Sequence, residues 1–171
     1  EVRQIQKGNH IPLVFTDSYS QIRQMINIGI DDYKGGELAA THFLQKGHTN
    51  LGFAGPFTGI GGVISKRCEG FSDILLKNHL TLAEEHIYDL TKTTSEKMVE
   101  TILQDPCPPT GIFAFSDEFA VQFCHAAKKK GISIPNDISL IGFDDFPISR
   151  ILPLPLTTIR QDIGKKAAET C

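Results

Sequence analysis

Short apolar runs alternate along this chain with longer segments in which apolar residues recur at the spacing of a helix. The apolar runs occupy residues 11–15, 25–30, 51–54, 87–90, 112–115, 138–143 and 156–159. The helical segments occupy residues 32–46, 65–78, 95–104 and 117–130, and a last one begins at residue 162. Strands that take turns with helices at this spacing predict an α/β fold, in which helices cover both faces of a parallel sheet.

Local signals refine the helical segments. Helix 32–46 is predicted to end at Gly47, and helix 117–130 at Gly131, because glycine adopts the left-handed conformation that closes a helix. The residues predicted to share the buried face of helix 32–46 are Leu38, Ala39, His42 and Phe43. The candidate N-caps are Asp32, Asp117 and Asp162.

Composition restricts the classes of partner. With 171 residues, 40% of them apolar and 22% charged, the chain can bury a sizeable core as an ordinary globular protein. A formal charge of -3 and a pI near 6.1 argue against a nucleic-acid surface in this segment, since such surfaces need clustered cations. The basic run Lys128–Lys130 is expected to be the solvated end of a helix. No apolar run approaches the roughly 18 residues of a membrane span, so no membrane partner is predicted.

Four cysteines, at positions 68, 107, 124 and 171, form no CxxC pair and no zinc-type spacing. They are interpreted as reduced thiols, which favours a cytoplasmic protein. The chain begins without methionine and stops inside a helical segment, so we expect it to be part of a longer protein.

Catalytic motifs are absent from the sequence. The glycine-rich segment 55–62 lies between a strand and a helix but lacks dinucleotide-binding spacing, and no Walker spacing occurs. None of the six histidines accompanies a nucleophile elbow. Asp17 and Asp144 could form a glycosidase pair, but acids that bind sugar hydroxyls need no raised pKa and the sequence signals none. The sequence therefore predicts no catalytic residue, no metal site and no cofactor.

Polar residues instead collect where predicted strands end. The carboxyl ends of parallel strands meet at one edge of the sheet, where small ligands bind. The residues placed near this edge are Asp17, Arg67, Ser116, Asp117, Asp144 and Asp145. Carboxylates accept hydrogen bonds from vicinal hydroxyls and an arginine donates to oxygen, so this set suits a small polyol or sugar. For Asp117 the alternative is a helix cap, and for Asp144 it is a turn.

Six segments, in order along nearly the whole chain, form a characteristic series. They lie at 31–40, 47–48, 67–71, 115–120, 135–145 (PNDISLIGFDD) and 156–161. As a set they resemble the signature of the lactose repressor/galactose repressor (LacI/GalR) family of bacterial transcription regulators. The resemblance implies a periplasmic-binding-protein-like fold of two α/β lobes with an effector in the cleft. It places residues 1–30 at the end of the DNA-proximal lobe, 31–159 in the distal effector-binding lobe and 160–171 in the return, with the N-terminal helix-turn-helix absent.

The resemblance also assigns roles to individual residues. Arg67 and Asp144 match the family's principal effector ligands, and Asp17 and Ser116 match secondary ones. Further candidates for the cleft are Asp117, Leu90 and Gln161. Many members have a stacking aromatic near the position of Leu90, and its absence slightly favours a sugar or polyol over a purine as effector.

The implied partners are a small-molecule effector, operator DNA bound through the missing domain, and a second copy of the chain. Helix 117–130 and segment 147–153 resemble parts of the family's dimer interface, where Val121, Phe123 and Cys124 could supply apolar contacts; intramolecular packing is the alternative. Effector binding would then change operator affinity through the dimer. A periplasmic-type sugar-binding protein of a transporter shares the fold and is the alternative function, and a phosphocarrier protein as controlling partner is a third possibility.

Overall fold

The computed structural model describes residues 14–16, 26–57, 62–151, 153 and 155–170. Its strands are β1 (Val14–Thr16), β2 (Ile26–Ile28), β3 (Leu51–Gly55), β4 (Ile87–Asp89), β5 (Gly111–Ala114), β6 (Ser139–Asp144) and β7 (Thr157–Arg160). Its helices are α1 (Asp32–Gln45), α2 (Val63–Lys77), α3 (Ser95–Gln104), α4 (Asp117–Lys129) and α5 (Ile163–Thr170). The predicted alternation is confirmed, with boundaries that differ by one or two residues for most elements.

The chain divides into two compact units. One comprises Glu1–Asp31 with Asp162–Cys171, and the other comprises Asp32–Gln161. In the first unit, β1 and β2 pair in parallel. In the second, five parallel strands form one sheet in the order β4-β3-β5-β6-β7. The α/β class and the parallel sheet predicted from the sequence are therefore confirmed.

Phenylalanine fills the space between the sheet and helices α1 and α2. The buried rings belong to Phe43, Phe53, Phe71, Phe113 and Phe143, each no more than 2% exposed. Phe113 is central to the group, with its ring centroid 5.4 Å from those of both Phe53 and Phe71. Aromatic pairs at this separation add to the stabilisation that burial alone provides. This face of the sheet thereby carries a closely packed aromatic layer beneath α1 and α2.

The opposite face packs against α3 and α4. Met98 and Val99 of α3 and Ala120 and Phe123 of α4 are fully buried in one cluster with the strand side chains of this face. Of the two roles left open for Phe123, the structure supports intramolecular packing, because the side chain is 0% exposed within the unit. Helices therefore cover both faces of the sheet, as the sequence predicted.

Helices α1 and α2 pack closely through glycine. A Cβ at Gly36 would collide with the backbone of Arg67, and one at Gly70 would collide with the backbone of Tyr33. The predicted inward position of Leu38 is wrong, since it is 49% exposed. The buried face of α1 consists of Asp32, Gly35, Gly36, Ala39, Ala40 and Phe43. Because the residues on this face are small, the backbones of α1 and α2 can approach closely. The α1 face that lies against α2 is therefore the one that carries the glycines, and Leu38 lies on the exposed side of the helix.

Three predictions about helix ends are confirmed. Gly47 and Gly131 have positive φ angles of 85° and 81°, and the Asp162 carboxylate accepts a hydrogen bond of 3.0 Å from the Lys165 amide. The Lys128–Lys130 run is exposed at the end of α4, where Lys130 pairs with Glu100. Within the described ranges, none of the helices has both the length and the apolar character required to cross a membrane.

Candidate functional site

Strand β6 ends at Asp144, and Asp144 and the following Asp145 both have unusual backbone angles. Asp144 has a φ of 113° and Asp145 a φ of 56°. Residues other than glycine rarely adopt positive φ, and such conformations are concentrated at functional sites. The Asp145 carboxylate forms ion pairs with Arg160 at 2.6 Å and with Arg150 at 3.1 Å. These ion pairs hold the pKa of Asp145 below its usual range. They also anchor the turn that presents Asp144.

Arg67 is buried and held on three sides. Its Nε donates a 2.7 Å hydrogen bond to Oδ1 of Asp32, and its Nη1 donates a 2.5 Å hydrogen bond to the carbonyl of Phe115. Its guanidinium carbon lies 3.5 Å from the centroid of the Phe143 ring, a close cation–π contact. Arg67 is 6% exposed and Asp32 is 2% exposed. The guanidinium is thus fixed before any ligand arrives.

Asp144 lies within the electrostatic influence of Arg67. Its half-buried carboxylate accepts a hydrogen bond from Nε2 of Gln161. Burial raises the pKa of Asp144 to about 6, against the opposing effects of Arg67 and of the Gln161 hydrogen bond. The negative charges of Asp117 and Asp32 raise it further. Asp144 is therefore mostly ionised at pH 7 and can accept hydrogen bonds from hydroxyl groups.

Asp117 and Ser116 serve the start of α4 in ways that differ from the sequence expectation. Ser116, not Asp117, is the N-cap, because its hydroxyl accepts a 3.2 Å hydrogen bond from the Phe119 amide. Asp117 is fully buried and accepts hydrogen bonds from the Thr158 hydroxyl at 2.5 Å and from the Phe146 amide at 2.8 Å. Burial raises the pKa of Asp117. Through these two hydrogen bonds, the Asp117 side chain connects the start of α4 to β7 and to the segment after Asp145.

Leu90 and Ser116 line a groove in the same unit of the chain. The groove is open, has a volume of about 670 Å³ and runs between the first turns of α3 and α4. Phe115 links the two regions, since it lines the groove and its carbonyl accepts the Arg67 hydrogen bond. The structure therefore brings Arg67, Asp144 and Gln161 together. Leu90 and Ser116 line the separate groove, which Phe115 connects to Arg67. Asp17 lies outside the described residues.

Sequence reasoning missed the roles of Asp32 and Phe143. Asp32 was assigned only as a candidate helix cap, but its carboxylate is the buried partner of Arg67. One signal was available, because Asp32 stands four residues before Gly36 and eleven before Phe43, and so on the same helical face as the core. A buried carboxylate on an apolar face requires a cationic or donor partner.

The raised pKa of Asp144 gives a direct prediction. Titration of the Asp144 carboxyl carbon by NMR should give a pKa near 6, since desolvation disfavours the charged form. The folded state then binds this proton more readily than the unfolded state. The ionised side chain consequently destabilises the fold at pH 7, and this effect is relieved as the pH falls through about 6 towards 4. Asp144→Asn, which removes the ionisable group, should therefore increase the free energy of unfolding relative to wild type more at pH 7 than at pH 4. A measured pKa near 4 would contradict the burial.

Comparisons with known proteins identify the family to which this chain belongs. A family model for the periplasmic binding protein-like domain matches residues 40–171. The probable HTH-type transcriptional repressor ExuR of Bacillus subtilis is 32% identical over 165 residues, covering 93% of this chain and 48% of that protein. The HTH-type transcriptional repressor PurR of Actinobacillus pleuropneumoniae is 34% identical over 170 residues, covering 94% and 49%.

A solved structure extends the match to the fold. The putative transcriptional regulator LacI from Bacillus cereus subsp. cytotoxis aligns with a TM-score of 0.83 and 26% identity, over 98% of this chain and 60% of that one. The chain spans about half the length of the curated relatives it matches. It belongs to the periplasmic-binding-protein-like domain family, as an effector-binding region of the LacI/GalR type.

Proposed function

We propose that this chain is the effector-sensing domain of a bacterial, cytoplasmic transcription regulator, most simply a repressor. A small sugar or related polyol would bind at Arg67 and Asp144 and thereby control operator binding by a DNA-binding domain elsewhere in the full-length protein. The relatives described above are HTH-type repressors, which supports regulation over transport. No catalytic step and no cofactor is part of the proposal.

The observation that carries the proposal is the juxtaposition of a fixed arginine and an ionised aspartate at the carboxyl edge of the sheet. A sugar hydroxyl can donate to Asp144, and the Arg67 guanidinium can donate to ring or hydroxyl oxygens. Each such charge-assisted hydrogen bond contributes about 1.5–3 kcal/mol. Leu90 carries no aromatic ring and contributes an apolar wall to the groove, which it lines together with Phe115 and Phe119.

Regulation would follow from where the contacts lie along the chain. Asp32 and Gln161 are the first and last residues of the compact unit that contains the site. Each hydrogen-bonds one of the two principal candidate ligands, Arg67 and Asp144 respectively. A ligand that alters these bonds acts on both points where the chain passes between units. A coupling of about 1–3 kcal/mol would change operator affinity about 5–150-fold. Homodimerisation, inferred from the family resemblance of 117–130 and 147–153, would join two such sensors.

The test uses the full-length protein and fragmented genomic DNA from the source bacterium. Fragments retained on the immobilised protein should share a common sequence, and one compound from a panel of sugars and polyols should change their retention. Asp144→Asn should retain the same fragments but lose the response, because the DNA-binding domain is unaltered. Failure to retain any specific DNA, combined with tight sugar binding, would instead favour the transporter-type alternative.

A further inference from the structure

We propose that Asp32 makes this site selective for an uncharged ligand by neutralising Arg67. The inference rests on the proposed function, because it concerns which class of effector the site accepts. The anionic compounds that resemble a neutral sugar are sugar phosphates and sugar acids. The distinction is decided by the charges that surround the guanidinium.

The positive charge of Arg67 already has a partner. Arg67 is the one lysine or arginine that is buried among the residues the structure describes, and Asp32 lies 2.7 Å from its Nε. Both side chains are less than 10% exposed, so water screens the pair weakly. An anionic ligand arriving at Arg67 would meet an ion pair rather than a vacant cation.

Among the residues that the structure describes, the charges that act on Asp144 besides that of Arg67 come from carboxylates. The carboxylates of Asp144, Asp117 and Asp32 lie close enough to repel one another, since the negative charges of Asp117 and Asp32 raise the pKa of Asp144. The nearby cations, Arg150 and Arg160, are 64% and 75% exposed at the side chain and pair with Asp145. Of the charges on the described residues, more would therefore repel a phosphate or carboxylate than attract it.

The remaining hydrogen-bonding capacity suits neutral oxygens. A guanidinium carries five N–H donors. Asp32 and Phe115 engage one each, so three stay available to a ligand as far as the described residues are concerned. Hydroxyl and ring oxygens can accept from these donors while other hydroxyls donate to Asp144. A neutral polyol satisfies both sides of the site without adding charge.

The test compares paired ligands by calorimetry on the full-length protein at pH 7. The pairs are glucose with glucose 6-phosphate and glucuronate, galactose with galacturonate, and ribose with ribose 5-phosphate. Wild type should bind the neutral member of its preferred pair at least tenfold more tightly than the charged member. Asp32→Asn keeps an oxygen for Nε but removes the negative charge, so it should shrink that ratio at least tenfold.

Asp73→Asn is the matched control. Asp73 lies on α2 and accepts a 2.6 Å hydrogen bond from Tyr33, the neighbour of Asp32, so this variant removes one negative charge from the same helix pair. It should leave the ratio unchanged. Asp32→Glu keeps the charge and should keep the selectivity even if its affinity falls, which covers the case in which Asp32→Asn fails to fold.

Two results would overturn the inference while the proposed function stands. One is a wild-type protein that binds the charged member more tightly, and the other is an unchanged ratio in a folded Asp32→Asn protein. Wild type that binds no member of the panel would count against the proposed function and the inference together, and is distinguished by the absence of any heat signal.

Discussion

Arg67→Met should lower the free energy of unfolding by about 3–5 kcal/mol and abolish effector binding. The substitution leaves the Asp32 carboxylate, 2% exposed, without the guanidinium that lies 2.7 Å away. It also removes the donor to the Phe115 carbonyl. Breaking a buried ion pair from one side is costly because the surviving charge stays desolvated. Urea unfolding at pH 7, followed by circular dichroism, measures the loss.

Two further variants separate the causes. Arg67→Met combined with Asp32→Leu should regain most of the lost stability, since no uncompensated charge remains. Lys130→Met breaks a 2.8 Å pair with Glu100 in which both side chains are exposed, and should cost about 0–1 kcal/mol. If the single Arg67 variant stays within about 1 kcal/mol of wild type, or the double variant is no more stable than the single one, the buried ion pair does not have the role described.

Phe143→Ala should cost about 3–5 kcal/mol of stability and also weaken effector binding. Phe143 is 1% exposed, its ring centroid lies 6.3 Å from that of Phe113, and the same ring supports the guanidinium of Arg67 at 3.5 Å. Truncation leaves a cavity in the aromatic layer and removes the surface that keeps Arg67 in place. Chemical denaturation and calorimetry with the preferred sugar measure the two effects.

Phe143→Leu distinguishes packing from ring chemistry. Leucine fills much of the volume and should restore a large part of the stability, but it offers no cation–π contact, so binding should stay weaker than in wild type. Phe146→Ala is the control, because Phe146 is 43% exposed and its removal should change stability by about 0.5 kcal/mol or less. Full ligand affinity in Phe143→Leu would show that the ring does not position Arg67.

The fold was largely predictable because its signals are local. Apolar runs and helical periodicity alternate along the chain, and Gly47 and Gly131 mark helix ends through their need for positive φ. The side-chain directions in α1 were harder to predict. Leu38 has the hydrophobicity of a core residue, but α1 approaches α2 closely at Gly36 and Gly70. The buried face of α1 is therefore rotated by about one residue from the predicted face, which leaves Leu38 exposed. Such helix packing depends on residues far apart in sequence.

The site was only partly predictable. The strand pattern placed Arg67 and Asp144 at the edge of the sheet and the family resemblance assigned them as ligands, whereas their hydrogen bonds with Asp32 and Gln161 depend on tertiary geometry. The raised pKa of Asp144 likewise depends on burial, which no motif encodes. Phe123 shows why the sequence left two roles open, because an amphipathic helix can bury an apolar residue against its own sheet or against a partner; here Phe123 packs in the core.

Thermal melting of the full-length protein across a panel of sugars, with Asp144→Asn and Asp73→Asn beside wild type, is the most direct test of the proposed site. Ligand that binds only the native state stabilises it by about 2.7 kcal/mol at a hundredfold excess over Kd. One sugar should raise Tm in wild type and in Asp73→Asn but not in Asp144→Asn. An equal rise in all three proteins would place the ligand elsewhere, and no rise with any sugar would contradict a sugar-sensing role for Arg67 and Asp144.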